Sequence, residues 1–457
     1  RRSSDLGERA GRRYGASIDD PHDVSMRVIA DHIRAMTFLI GDGVTPSNEW
    51  RGYVLRKIMR RAMRHGKKLG FTQPVLHTLV DVVVNEMGDA YPELRSNRET
   101  IVKVVRAEEE KFDAVLTAGL PRLEEALDRA QAGNKVVPGD EAFRLYDSLG
   151  VPYDFMEDLA GQRGLRIDRE GFERAMQGQK EKARAGSAFK GGDKGITFTI
   201  PPDLEKTLDA AGDVFEGYES TCLRGVPILA LFDESGAAVN QLAAGTRGYV
   251  ALARTPFYVE AGGQVSDSGR IYGAASEATV ERMLKQGSRP RLHQVRVDQG
   301  TLAVGDIVTA EVADEVRDAT RRNHTATHLL HAALRQVLGT HVKQAGSLVA
   351  PDRLRFDFVH FSAVTREQLD EIERLVNAQI VRNTPVQTDV RSTEEAIAAG
   401  AMALFGEKYG DRVRVVSIPG FSMELCGGTH VRATGDIGPF VITEESGVAA
   451  GVRRIEA

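Results

Sequence analysis

Two histidines one helical turn apart, His324 and His328 in Asn323-His-Thr-Ala-Thr-His328, have types and spacing that suit metal chemistry. A Cys-x-x-x-His pair, Cys426 and His430 in Cys426-Gly-Gly-Thr-His430, follows about a hundred residues later. Alone, the histidine pair reads first as the polar face of an ordinary helix. With Cys426 and His430 it makes four ligands of the number and softness that tetrahedral zinc (Zn2+) prefers, and Gly427 and Gly428 let the later loop turn tightly enough to bring them together. Four protein ligands suit a structural zinc, unless one is loose enough to leave a position for water or substrate. The residues between the histidines are Thr325-Ala326-Thr327, so the glutamate of a His-Glu-x-x-His protease is missing. No Ser/His/Asp arrangement is visible, which disfavours a covalent acyl-enzyme. His331 reads as a packed or hydrogen-bonding neighbour of the pair, His293, His341 and His360 have no partner by spacing, and Cys222 reads as a small buried hydrophobe.

A second cluster could bind phosphate. Arg51, Arg56, Lys57, Arg60, Arg61 and Arg64 line one side of a helix whose other side carries Val54, Leu55, Ile58, Met59 and Ala62, with almost no acid interleaved. Residues 1–70 hold 15 Lys and Arg against 8 Asp and Glu, although the whole chain carries a net charge of −5. A solvated charged face is the ordinary fate of such a run. The near absence of neighbouring acids favours phosphate contact, which would supply affinity and register and would weaken with salt.

The elements that must position these residues follow from periodicity. With 457 residues, 42% hydrophobic and 27% charged, the chain is globular and too long for one core. Apolar spacing predicts helices over residues 23–41, 48–64, 75–87, 96–130 (bent at Pro121), 140–149, 153–163 and 169–184, an all-helical domain over 1–186. A Gly-rich linker, 187–207, leads to short β-like runs at 220–223, 227–232, 248–252, 295–297 and 307–311, a small β-barrel domain over 208–312. Helices at 317–338 and 366–383 with strands at 354–358 and 413–418 give an α+β, zinc-containing domain over 313–457. Thr255-Pro-Phe-Tyr-Val-Glu-Ala-Gly-Gly-Gln264 permits close backbone approach or a bulge. No apolar run approaches a membrane span, and two cysteines point to a reducing, cytoplasmic compartment.

Read together, Asp23-Val-Ser-Met-Arg-Val-Ile-Ala-Asp-His32, Pro46-Ser-Asn-Glu-Trp-Arg-Gly-Tyr-Val-Leu-Arg-Lys-Ile-Met-Arg-Arg-Ala62, the Thr255–Gln264 run and the two metal motifs closely resemble the bacterial alanyl-tRNA synthetases, in order along nearly the whole chain. The resemblance implies the tRNA-recognition and editing part of such an enzyme, with the class II aminoacylation domain expected before Arg1 and the oligomerisation domain after Ala457. It implies that the helical region grips the acceptor stem of tRNA(Ala), not DNA, with Asn48 and Asp147 reading its G·U pair, chemistry suited to an amide and a carboxylate. It also implies that zinc on His324, His328, Cys426 and His430 serves hydrolysis of Ser-tRNA(Ala) and, less readily, Gly-tRNA(Ala), with Thr327 and Gln344 testing for the wrong side chain. A pocket shaped for a methyl group cannot strongly refuse glycine or serine, whereas a second pocket built to bond a hydroxyl can refuse alanine. Water would attack the ester directly, with Glu260 or the ribose hydroxyls as conceivable proton carriers. The alternative is a non-catalytic tRNA-binding module stapled by zinc.

Overall fold

The computed structural model describes residues 15, 20–47, 50–186, 196–402, 410–449 and 451–457. The chain forms two compact units, residues 1–192 and 193–457.

In the first unit, α1 (Pro21–Gly41) begins where the Asp20 carboxylate accepts from the backbone N–H of His22 at 2.9 Å and of Asp23 at 3.1 Å, with Pro21 in the first turn where no N–H is needed. Met26, Ile29, Ile33, Met36 and Ile40 form its buried stripe, and the helix packs on α2 (Trp50–Lys68), which buries Leu55, Met59 and Ala62. α3 (Leu76–Met87) and the short α4 (Pro92–Ser96) lead into α5 (Arg98–Ala132), which continues through Pro121 as one helix. Buried Glu109 of α5 accepts from the N–H groups of Val75, Leu76 and His77 at 2.9, 2.7 and 2.8 Å, so a carboxylate from a neighbouring helix caps α3. β1 (Val136–Val137), α6 (Gly139–Leu149), α7 (Tyr153–Gln162), β2 (Arg166–Ile167) and α8 (Arg169–Gly186) complete the unit. β1 and β2 pair in parallel, which corrects the all-helical expectation: two-residue strands are too short to leave a period-2 trace in sequence.

The second unit opens with α9 (Pro202–Ala211), which packs on the barrel. This corrects the extent of the expected linker. Pro202 at the first turn is a helix-start signal that the nearby glycines mask, and residues 187–195 lie outside the described part. Strands β3 (Cys222–Asp233), β4 (Ala238–Val239), β5 (Gln241–Ala243), β6 (Arg247–Leu252), β7 (Gly269–Tyr272), β8 (Glu277–Gln286), β9 (Arg289–Gln299), β10 (Thr301–Ala303) and β11 (Ile307–Val312) follow. The order β11-β7-β8-β9-β6-β3 returns to β11, so six strands close into a barrel around Val226, Leu231, Phe257, Ile271, Val280 and Val295, as expected.

Beyond the barrel come α10 (Asp314–Leu338), β12 (Gln344–Val349), β13 (Leu354–Val359), α11 (Arg366–Arg382), β14 (Gln387–Ser392), α12 (Thr393–Ala398), β15 (Arg412–Ile418), β16 (Ser422–Leu425), β17 (Glu444–Ala449) and β18 (Val452–Glu456). They make an antiparallel sheet β12-β13-β18-β17 and a smaller one, β14-β15-β16. Leu329, Leu330 and Ala333 of α10 join Phe356, Phe358, Ile372, Val376 and Ile455 in one core. The predicted helices and strands of this α+β region are present. The polar strands β14 and β17 are largely exposed, so they carry no alternating apolar signal. No helix among the described residues is long and apolar enough to cross a membrane.

α10 is tied to the barrel by a fully buried guanidinium. Arg317, 0% exposed, donates from Nε to Asp267 Oδ1 at 2.8 Å, bonds Asp267 again through Nη2, and donates to the carbonyls of Gly217 and Pro256 at 2.8 Å each. Asp267→Ala, which leaves this charge buried and unpaired, is expected to destabilise the second unit by about 3–5 kcal/mol, measured by chemical denaturation followed by circular dichroism.

Candidate functional site

α10 carries His324 and His328 on one face, and β16 delivers Cys426 one residue beyond its end. The structure brings the four expected ligands together: one ligand atom from each of His324, His328, Cys426 and His430 lies within 4.8 Å of all the others. Cys426 Sγ stands 3.4 Å from His324 Nε2 and 3.3 Å from His430 Nε2. Ligands at tetrahedral zinc stand about 3.3–3.6 Å apart, given Zn–N of about 2.0–2.1 Å and Zn–S of about 2.3 Å.

The outward ring nitrogens fix how the imidazoles present themselves. His324 Nδ1 faces Gln264 Oε1 at 2.7 Å and His328 Nδ1 faces Glu424 Oε2 at 3.0 Å. His430 Nδ1 lies 3.2 Å from Thr325 Oγ1, whose own proton goes to the Arg321 carbonyl at 3.0 Å. All three partners accept, so each Nδ1 carries a proton and each Nε2 faces inward. The buried Nε2 of His328 has no hydrogen-bond partner. A cation at the centre would satisfy it, so the residues fit a tetrahedral metal.

Electrostatics agrees. Burial alone would push the Cys426 thiol up, but the His324 and His430 imidazoles outweigh it and hold the group well below its usual value, towards the thiolate a metal needs. Burial and the neighbouring His324 hold His430 down to about 3. Burial opposes charge on His328 as well, yet the Glu424 carboxylate and the Cys426 sulfur raise it to about 10.

Sequence reasoning missed the supporting shell. Gln264, fully buried, also accepts from Thr429 N and donates to Thr429 Oγ1, both at 2.9 Å, locking the helix ligand and the loop ligand from one side chain. Its Gly-Gly-Gln context was the available signal. Glu424 holds His331 Nδ1 at 3.0 Å as well as His328, which gives His331 the hydrogen-bonding role expected of it. Gly428 has no room for a side chain, since a Cβ there would stand 2.0 Å from His324 Cε1. Elsewhere, His341 Nε2 and His360 Nδ1 form a buried pair at 2.9 Å across 19 residues, which spacing could not reveal.

A cavity of about 270 Å³ opens beside the ligands, walled by Thr327, Gln344, Ser347, Tyr258, Phe356 and Gly427 among others. Thr327 donates its hydroxyl proton to the Asn323 carbonyl at 2.8 Å, so what remains on Oγ1 is acceptor capacity. Gln344 begins β12 on the same wall. Glu260 is exposed, 3.9 Å from Arg282, and is not among the lining residues.

The basic helix α2 differs from expectation. Arg56 is buried and donates to Glu108 at 2.8 Å, Arg60 lies 3.5 Å from the same carboxylate and over the Phe112 ring, and Arg64 is buried against Asp158. Lys57 reaches Asp154 at 3.7 Å. The acids missing from α2 itself are supplied by α5 and α7, which correct the premise of an unpaired cationic face: helix packing brings together charges 50 to 100 residues apart. Arg51, Lys57 and Arg61 remain exposed, and Lys57, Arg60, Arg61 and Arg64 line a cavity of about 820 Å³ with Asp154 and Asp158 opposite. Asp147 is exposed on α6, and Asn48 lies outside the described residues.

A family model described as tRNA synthetases class II (A) matches residues 5–316, and one for the threonyl and alanyl tRNA synthetase second additional domain matches residues 413–456. An alanine–tRNA ligase of Nitratidesulfovibrio vulgaris is 51% identical over 441 residues, covering 96% of this chain and 50% of that protein. One of Xanthomonas axonopodis pv. citri is 50% identical over 440 residues, covering 96% and 49%. The chain thus spans about half the length of the curated relatives it matches. The match over residues 5–316 overturns the expectation that the class II domain is missing. The class II model begins near the N-terminus and runs through the helical unit and barrel, in place of a separate all-helical recognition module.

Because Glu424 meets the centre through the outward Nδ1 of His328 and is not one of the four converging groups, Glu424→Gln is expected to retain the fold and lower zinc affinity by about 10- to 100-fold, measured by competition with a chromogenic chelator. An unchanged affinity would show that the outward hydrogen bond does not tune the ligand.

Proposed function

This chain belongs to the class II (A) tRNA synthetase family, and we propose that its second unit is an editing esterase that hydrolyses Ser-tRNA(Ala), and Gly-tRNA(Ala) less readily, at a zinc centre on His324, His328, Cys426 and His430. The carrying observation is the convergence of three inward-facing Nε2 atoms and the Cys426 sulfur beside a cavity that Thr327 and Gln344 line. A zinc ion there would supply Lewis-acid polarisation of the ester or of attacking water. Thr327 contributes an acceptor: a seryl hydroxyl can donate to it, whereas an alanyl methyl leaves it unpaired. Gln344 on the same wall can donate or accept. At about 270 Å³ the cavity is near the lower end of ligand sites, about 300–1,000 Å³, which suits a small aminoacyl group and excludes much water. On this reading the chain works in the cytoplasm. Its first unit holds the tRNA(Ala) acceptor stem, with Asn48 and Asp147 reading the G·U pair and the exposed Arg51, Lys57 and Arg61 meeting phosphates.

A four-ligand set also favours a second reading, a tRNA-binding module in which zinc only staples the fold. Cys426→Ala separates the two. The editing reading expects lost deacylation with a folded, tRNA-binding protein, and the staple reading expects unfolding. Wild-type protein with one zinc that leaves Ser-tRNA(Ala) intact would sink the first.

Thr327→Val keeps the shape and removes the acceptor. It is expected to lower the preference for Ser-tRNA(Ala) over Ala-tRNA(Ala) by roughly ten- to a hundredfold, read from kcat/KM for the two esters.

Two arginines that look alike in sequence should behave differently. Arg61→Ala is expected to weaken tRNA binding and reduce the slope of log K against log salt by about one, with unfolding unchanged. Arg56→Ala leaves buried Glu108 with the longer 3.5 Å contact to Arg60 and is expected to destabilise the first unit by up to about 3–5 kcal/mol. Binding titrations at several salt concentrations, with denaturation curves for both variants, check the pair.

A further inference from the structure

We propose that Tyr218 and Arg414 form the platform on which the base of the 3′-terminal nucleoside of the esterified RNA stacks, at the rim of the metal cavity. This rests on the editing reading. Tyr218 lies in the segment between α9 and β3, and its hydroxyl donates to the carbonyl of Gly427, a cavity-lining residue next to ligand Cys426, at 2.6 Å. Arg414 of β15 places its guanidinium 4.2 Å from the Tyr218 ring centroid. Its Nη1 donates to the carbonyls of Cys426 at 3.2 Å and Gly428 at 2.6 Å, and its Nη2 to Thr388 Oγ1 at 3.4 Å. The Cys426–Gly428 carbonyls are thus all held by one stacked pair.

Holding the loop does not explain two further features. The Tyr218 residue is 44% exposed, although a tyrosine serving only as a clamp would gain by burial. Arg414 makes no ion pair among the described residues, whereas other arginines of this unit, such as Arg291 with Asp213 and Arg454 with Asp357, are neutralised. An exposed aromatic ring backed by an uncompensated guanidinium is the combination that takes an unstacked base and attracts its phosphate. Its position fits the substrate. The ester lies on the terminal ribose, so when it enters the cavity the base of that nucleoside must rest within one sugar of it, and the platform is joined to the cavity wall at Gly427.

The test uses the whole chain loaded with zinc, comparing wild type, Tyr218→Phe and Tyr218→Ala. Deacylation of Ser-tRNA(Ala) is read as KM and kcat separately, with zinc content measured for each protein. A parallel binding assay uses uncharged tRNA(Ala) with 2-aminopurine as its terminal base, whose fluorescence is quenched by stacking. Tyr218→Ala is expected to raise KM about ten- to a hundredfold with kcat and zinc content little changed, and to abolish the quenching. Tyr218→Phe keeps the ring, so it should stay within about twofold of wild type and retain the quenching. The platform is overturned if Tyr218→Ala leaves KM and quenching unaltered, or if both variants lose zinc and activity together, as a pure clamp requires. If wild type hydrolyses the ester without dependence on the Tyr218 ring, the editing reading stands and the platform falls. Ring-dependent quenching without hydrolysis keeps the platform and removes the editing reading.

Discussion

The second unit depends on one buried ion pair. Arg317 sits on the helix that carries His324 and His328, and each of its three guanidinium nitrogens donates to Asp267 or to the carbonyls of Gly217 and Pro256. Each partner belongs to a segment that serves the metal centre. Asp267 follows Gln264 by three residues, Pro256 lies in the run that ends in Gln264, and Gly217 precedes Tyr218. A buried guanidinium repays its desolvation only when its charge is paired and its nitrogens are bonded in good geometry, so this contact admits one arrangement of barrel and helix. We take that specificity, rather than net stability, to be what the pair contributes.

Within that arrangement the centre is built from outside inwards. A carboxylate, an amide oxygen and a hydroxyl each accept from the Nδ1 of one histidine, so the three Nε2 atoms converge on one point. The glycines of the Cys-Gly-Gly loop serve a different end: Gly428 lies against the His324 ring, where no side chain fits. The cavity lies on the open side of this set, and Thr327, between the two helix ligands, faces it with an acceptor already oriented by its bond to Asn323.

The basic helix shows the opposite relation between charge and role. Arg56, Arg60 and Arg64 turn towards acids of α5 and α7, and only part of the run stays in solvent. Charge density along a sequence therefore overstates a phosphate-binding face whenever packing supplies counter-charges from distant helices.

The sequence by itself determined the candidate ligand set, the helix bearing the histidine pair, the barrel and the α+β elements that follow it, because period and ligand spacing are local properties. His324 and His328 are neighbours wherever four residues form a helical turn, and Cys426 and His430 share a short loop. Family resemblance suggested roles for Thr327, Gln344, Asn48 and Asp147, which remain proposals, and misjudged how far the class II region extends into this chain. Tertiary structure alone decided which side chains orient the ligands, which arginines are paired, and that β14, β17 and α9 exist. Gln264 stands 60 residues from His324 and 165 from Thr429, and Glu108 stands 52 from Arg56. Those partnerships arise from packing and desolvation between distant segments, energies that no local pattern records.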